Sequence, residues 1–403
     1  MNQLLWRLLP PRARSAWTTL RHRRRERRCY EDFRRFYDGL ADQRDIFFLF
    51  FTERLLHWAL KALQFVPAEI NLVVVGSHLE ADEVEWLRRR LGRPFHHVPV
   101  RIDDKTMWEF LWRCARHDFG WLDIDCFVAN PRLFSEMARI DGDVALNCVY
   151  AFPGAGNVDI MCTHLLFVNV GVLRAIERRG IAVTPCTYNY DGSNVGRGEF
   201  SFSKVPTRRQ LRLLRRVLPA GSDGRPVYPS NVPARFFLRC FDTLVLYQLV
   251  ALALGYRLHR VRALSGTPET PAYFSDEVIH VNAASWYVRM KDDRGQFQEH
   301  YRRMVQLDYF LLCEAGDDLP AHYGSKREEL RAELDRLGIP LALVPRTVYR
   351  YFADRGFGAN VAQHPAWRFL REWHAREQDA ADTASAASAA GATAVAAAGG
   401  GEP

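Results

Sequence analysis

The sequence predicts an α/β fold built on a mostly parallel, doubly wound sheet. Continuously apolar runs of strand length, at residues 46–51 (IFFLFF) and 72–76 (LVVVG), alternate with segments of helical period between residues 45 and 149. Unbroken apolar strands are what a sheet covered on both faces requires, because a half-exposed sheet alternates apolar with polar residues. Right-handed crossovers through the intervening helices then make neighbouring strands parallel. At 403 residues, 48% hydrophobic and 25% charged, the chain has the material for a large core.

Residues 1–44 read as a basic helical extension, with arginine almost unbroken across 21–28. The run 46–51 is the first strand, and residues 52–65 follow as a helix through Leu55, Leu56, Ala59, Leu60 and Leu63. The run 72–76 is the second strand, and residues 81–91 place Val84, Leu87 and Leu91 on one helical face. Residues 95–98 form a short third strand, and Asp103 or Asp104 can cap the helix that carries Met107, Phe110, Leu111 and Cys114. The fourth strand runs over 119–125 and ends Leu122, Asp123, Ile124, Asp125, with Asn130 and Pro131 opening a new helix. Further strands are expected at 144–150, 165–169, 257–261 and 278–282, with an apolar helix at 241–254.

The expected organisation is a catalytic domain over 45–290, with a Gly, Pro, Ser, Asn and Arg-rich insertion at 182–233. A mostly helical extension covers 291–378, and a disordered Ala/Gly-rich tail covers 379–403.

The net charge of +8 resides largely in residues 12–28, and the rest is close to neutral, so nucleic acid is not an expected partner. The eight cysteines are scattered without a C-x-x-C pair, which argues for reduced thiols rather than a disulfide framework. With no apolar run of about 18 to 20 residues and no basic region ahead of Leu4, Leu5, Trp6, Leu8 and Leu9, a cytoplasmic protein is expected. Residues 1–28 could rest on the inner face of an anionic membrane.

Asp123 and Asp125 carry the chemistry. Ligands of doubly wound sheets bind beyond the carboxyl ends of the strands, and two carboxylates at i and i+2 where a strand stops can converge on one ion. Mg²⁺ and Mn²⁺ prefer oxygen ligands and bridge protein to substrate phosphates.

In this setting the chain resembles the nucleotide-sugar glycosyltransferases of the GT-A fold, hexosyltransferase-like enzymes whose D-x-D motif follows three strand-helix units. Phe167, Asn169, Gly171 and Val172 are similar to the F-N-x-G-V motif of the glycogenin-like and lipopolysaccharide galactosyltransferase-like groups, with Val168 inserted. Asp242 and Thr243 occupy the place of a D-Q or D-E motif, with Thr in the second position, and His280 that of a late H-x-x-G element, with Ala283 for Gly.

The resemblance implies a metal-dependent enzyme moving a sugar from a nucleoside-diphosphate donor, UDP-linked by preference, to an acceptor that the sequence does not name. It further implies that Asp123, Asp125 and His280 hold Mn²⁺ or Mg²⁺. Phe51, Thr52 and Glu53 would meet the base, Lys105 the diphosphate, Asp123 the ribose or the ion, and Asn169 and Gly171 the sugar. Asp242 is the expected base on the acceptor hydroxyl of an inverting reaction.

Two other readings share these residues. A haloacid-dehalogenase-type phosphatase would use Asp123 as nucleophile and Asp125 as acid/base, with Lys291, Gly316, Asp317 and Asp318 as later motifs, but that motif normally opens its domain. A degenerate transferase fold could serve as a binding scaffold.

Overall fold

A computed structural model describes residues 26–153, 158–186, 188–189, 206–220, 240–265, 273–275, 277–282, 284–291, 296–353, 364–376 and 379. Most of the basic start, most of the expected 182–233 insertion, Ala283 and the tail beyond 379 lie outside them.

The chain enters through a helix over residues 26–38, α1. β1 (Ile46–Thr52), α2 (Leu56–Leu63), β2 (Leu72–Ser77), α3 (Ala81–Arg90), β3 (Phe95–Val98), α4 (Asp104–Cys114) and β4 (Phe119–Leu122) follow in strict alternation. Next come β5 (Cys126–Val128), α5 (Arg132–Ala138), β6 (Val144–Pro153), β7 (Asp159–Met161), β8 (Leu165–Val168), α6 (Val170–Arg178) and β9 (Tyr188–Asn189). α7 (Arg208–Leu214), β10 (Cys240–Phe241), α8 (Val245–Ala253), β11 (Arg257–Ser265), β12 (Tyr273–Phe274) and β13 (Val278–His280) precede α9 (Gln296–Glu314), α10 (His322–Arg336) and α11 (Val344–Ala353).

Among the described residues the main sheet has the order β11-β6-β8-β4-β1-β2-β3, with β7 on β6. β1 is parallel to β2 and β4, β2 to β3, and β11 to β6. The sheet is therefore mixed α/β and mostly parallel, as expected, but β8 runs against both β4 and β6. That reversal is the antiparallel exception within a mostly parallel sheet. β7 and β8 both run antiparallel to β6, and among the described residues no helix lies between β6 and β8, so this return is not a crossover that would make the strands parallel.

Both faces of the central strands are covered. Phe48 packs on Phe33 and Tyr37 of α1, while its neighbour Phe47 meets Phe134 of α5 and Phe167 of β8. Phe47, Phe48, Leu49 and Val73, Val74, Val75 are buried throughout, which explains the unbroken apolar runs. The N-cap of α4 is Asp103, whose carboxylate accepts the Thr106 N–H at 2.8 Å. α2 begins at Leu56 rather than near Thr52, leaving residues 53–55 as a turn at the carboxyl end of β1.

Candidate active site

β4 ends where the chain turns: the Cys126 N–H donates to the Asp123 carbonyl at 3.1 Å. Ile124 is buried within this turn, between the two acids that precede and follow it. β13 lies antiparallel to β5 with His280 opposite Cys126. Its continuation clasps the second acid, because the Val281 N–H donates to the Asp125 carbonyl at 3.0 Å and the Ala284 N–H to Asp125 Oδ2 at 2.9 Å.

His280 Nε2 stands 3.5 Å from Asp125 Oδ1 and 3.9 Å from Asp123 Oδ2. One ligand atom from each of Asp123, Asp125 and His280 lies within 4.8 Å of the others, and the trio could hold a metal ion.

Neighbouring rings fix this geometry. Trp121 Nε1 donates to Asp123 Oδ1 at 2.6 Å, and its indole stacks on Trp108 at 4.6 Å between centroids. His164 stacks on His280 at 4.1 Å with the planes 9° apart. Burial first, then the charge of His280, drive the pKa of His164 well below its ordinary value, so its ring is neutral.

Burial and the adjacent Asp125 push Asp123 up to about 7, against the pull of His280 and the Trp121 hydrogen bond. Burial acts on Asp125 too, yet His280 and the Ala284 N–H outweigh it and hold that carboxyl below its ordinary range. Two facing carboxylates with unequal proton affinity are the electrostatic condition that a bound cation relieves.

The parallel strand ends form the rest of the rim. Thr52 pairs in register with Ser77, and the two strands stop together beyond the Leu49 position that lies opposite Leu122. Glu53 is held by Arg101 at 3.1 Å and His78 at 3.6 Å. Phe51 is buried, so its contribution is to the wall of the strand end rather than to an open surface.

Lys105 occupies the first turn of α4 next to Asp104. Asp104 is exposed, and desolvation of its carboxyl, then the charges of Asp103 and Asp242, push it up to about 6 despite Lys105. The charge of Asp104 in turn raises Asp123, so Asp242, Asp104 and Asp123 form a chain of interacting acids. Asp242 is not the helix N-cap, since α8 begins at Val245; its Oδ1 accepts the adjacent Thr243 N–H at 2.8 Å.

Asn169 and Gly171 are not brought to this end of the sheet. Leu165 pairs with Leu122 and Val168 with Phe119, so the amino end of β8 faces Asp123 and the carboxyl end points away. Asn169 instead caps α6 through the Val172 N–H at 3.0 Å and binds the Asp141 carbonyl, with Gly171 in the first turn of that helix. The residue at this end of β8 is His164, whose carbonyl accepts the Asp123 N–H at 2.9 Å.

The residues of the phosphatase alternative also lie in other contacts. Lys291 pairs with Glu333, Asp317 with Arg327 and Asp318 with Arg90. Sequence reasoning missed Asp104, His164 and the Trp121 hydrogen bond. For Asp104 a signal existed: Asp103 caps the helix through the Thr106 N–H, which leaves the Asp104 carboxylate out of the cap. Nothing local marks His164.

Residues 23–173 match the StrH glycosyltransferase N-terminal domain. The chain is 29% identical over 344 residues to the dTDP-dihydrostreptose--streptidine-6-phosphate dihydrostreptosyltransferase of Streptomyces griseus, covering 77% of this chain and 87% of that protein. Among solved structures it matches the glycosyltransferase GlyE of Streptococcus pneumoniae at 11% identity and a TM-score of 0.24, over 42% of this chain and 46% of that one. It also matches a cytidylyltransferase of Leptospira borgpetersenii at 12% identity and a TM-score of 0.23, over 33% of this chain and 64% of that one. These structural likenesses are too slight to bear on the fold. The sequence relationships give the activity, and the chain is an enzyme, a glycosyltransferase.

Proposed function

We propose that the enzyme transfers a sugar from a pyrimidine nucleoside-diphosphate donor, bound at the carboxyl ends of β1, β2 and β4, to a hydroxyl of a small polar acceptor. The convergence of Asp123, Asp125 and His280 at that edge carries the reading. Motif resemblance favours a UDP-sugar, and the Streptomyces griseus relative is named for a dTDP-sugar. Uracil and thymine offer the same hydrogen-bonding edge, so one rim around Thr52 and Glu53 suits either. The relative is also named for a phosphorylated acceptor, and we extend that class to this chain.

The donor set fits a hard divalent cation. Asp123, Asp125 and His280, with His280 Nε2 at 3.5 and 3.9 Å from the two carboxylates, would hold such an ion through two carboxylates and one imidazole. Mn²⁺ or Mg²⁺ there would supply positive charge to a departing diphosphate.

The chain's own residues do the remainder. The Ala284 N–H and Trp121 Nε1 hold the two carboxylates in place. Lys105, in the first turn of α4, would neutralise donor phosphate. Asp242 accepts the acceptor's proton if the reaction inverts, and its charge interacts with that of Asp104.

Thermal unfolding with Mn²⁺ and a panel of UDP, dTDP and GDP tests this. Mn²⁺ with UDP or dTDP should stabilise the protein by about 2.7 kcal/mol at a hundredfold excess over Kd, and Asp125→Ala should abolish the effect. Stabilisation by GDP alone removes the pyrimidine assignment, and no response to any nucleotide overturns the whole reading.

A further inference from the structure

Two turns flank the candidate donor site, and each contains a non-glycine residue in the left-handed region. Arg54, beyond β1, has φ 65°, and Asn282, beyond β13, has φ 64°. Such backbone is held by its surroundings. Here the surroundings are α9 and α10, which come from the last third of the chain.

The Arg54 carbonyl accepts from Lys326 Nζ at 2.8 Å, and the Arg54 guanidinium pairs with Glu329. The Leu56 N–H donates to Tyr323 Oη at 2.8 Å, and that hydroxyl donates to buried Glu83, which also accepts the Arg54 N–H at 3.2 Å. Tyr323, Lys326 and Glu329 are spaced three apart, on one face of α10. On the other turn, His300 Nε2 of α9 reaches the Asn282 carbonyl at 3.2 Å.

Asp308 of α9 joins the two sides. This fully buried carboxylate receives Lys326 Nζ at 3.1 Å, Trp58 Nε1 at 2.7 Å and the Tyr287 hydroxyl at 2.7 Å, with His57 Nε2 also in contact. Tyr287 belongs to the segment that continues from His280 and Ala284, the residues that hold Asp125.

We propose that Lys326 and Tyr287 are positioning residues which, through the Asp308 carboxylate, lock the Arg54 turn and the His280 loop into one unit across the cleft. The C-terminal helices thereby belong to the site without touching the donor. The use of this coupling in the reaction rests on the donor-site reading above, whereas the coupling itself is a property of the fold.

Hydrogen exchange on the full-length protein tests it, with Lys326→Met, Lys326→Arg, Tyr287→Phe and the Lys326→Met/Tyr287→Phe double variant. Substituting either residue should speed exchange about tenfold in both peptides, 52–58 and 279–288, because a local opening shared by two segments is released from either end. The double variant should add little to the larger single effect, and Lys326→Arg should restore most of the protection. In parallel, the Mn²⁺ affinity measured by titration should weaken in Tyr287→Phe while the global unfolding midpoint in urea moves little.

Faster exchange confined to the substituted side, or spread evenly over the chain, overturns the coupling. Should Lys326→Met not fold, Tyr287→Phe decides alone, since it removes a single hydroxyl. If the wild-type protein binds neither Mn²⁺ nor any nucleotide, the donor-site reading falls, and the exchange pattern still decides for or against the coupling.

Discussion

At the scale of single residues, Asp123 and Asp125 differ by environment although their chemistry is the same. Asp125 takes a backbone N–H and the nearer approach of His280, whereas Asp123 keeps one indole hydrogen bond and the stronger like-charge pressure. Trp121 therefore does more than fill the strand. Trp121→Phe preserves an aromatic ring against Trp108 and deletes the donor to Asp123. The expected loss is about 1 kcal/mol, read as a roughly fivefold weaker Mn²⁺ affinity by titration, with near-normal thermal stability. An unchanged affinity would show that Asp123 needs no such support.

At the scale of elements, β4 has to bring its acids to the sheet edge while passing beneath a large ring. Gly120 allows this, because a Cβ placed there would lie 2.2 Å from Phe47 Cδ1 and 2.3 Å from Cε1. Phe47 is wedged between Phe134 and Phe167 and has no room to retreat. Gly120→Ala should thus destabilise the fold by about 1 to 3 kcal/mol, the usual cost of overpacking, measured by urea unfolding.

The elements also show where sequence patterns mislead. The run 165–173 reads as a strand running into a helix, with Asn169 and Gly171 expected at the donor site through the motif resemblance. In the structure it is a short antiparallel strand followed by α6, so the expected motif lies at the far edge. Apolar periodicity reports which residues are buried and is indifferent to the direction in which a strand runs.

At the scale of the whole molecule, buried imidazoles couple stability to pH. Burial, then the Lys326 charge, pull His57 down to about 4 against Asp308, and burial pulls His96 down to about 4. Between about 4 and the ordinary histidine value of 6.5 the unfolded chain binds these protons and the folded one does not. Their contribution is complete above pH 6.5 and is lost as the pH falls through this window, by about 3 kcal/mol for fully buried His57. Urea midpoints should accordingly fall between pH 7.5 and 5, and His57→Gln should show a shallower fall than wild type. Among the described residues no helix is long and apolar enough to cross a membrane.

The pairing of His280 with the two acids was what the family resemblance implied; by itself the sequence determined the alternation of buried strands and helices up to Asp125 and the acid-x-acid turn at a strand end. These are local patterns, legible because burial, turning and capping each leave a residue signature within a few positions. Only the tertiary structure decided which strand ends share an edge. It placed Asn169 and Gly171 at the other end of the sheet, brought His164 against Asp123 and His280, and set Ala284 on Asp125 from 159 positions away. Strand direction and long-range hydrogen bonding depend on the pairing of distant segments, and that pairing leaves no periodicity in the chain to read.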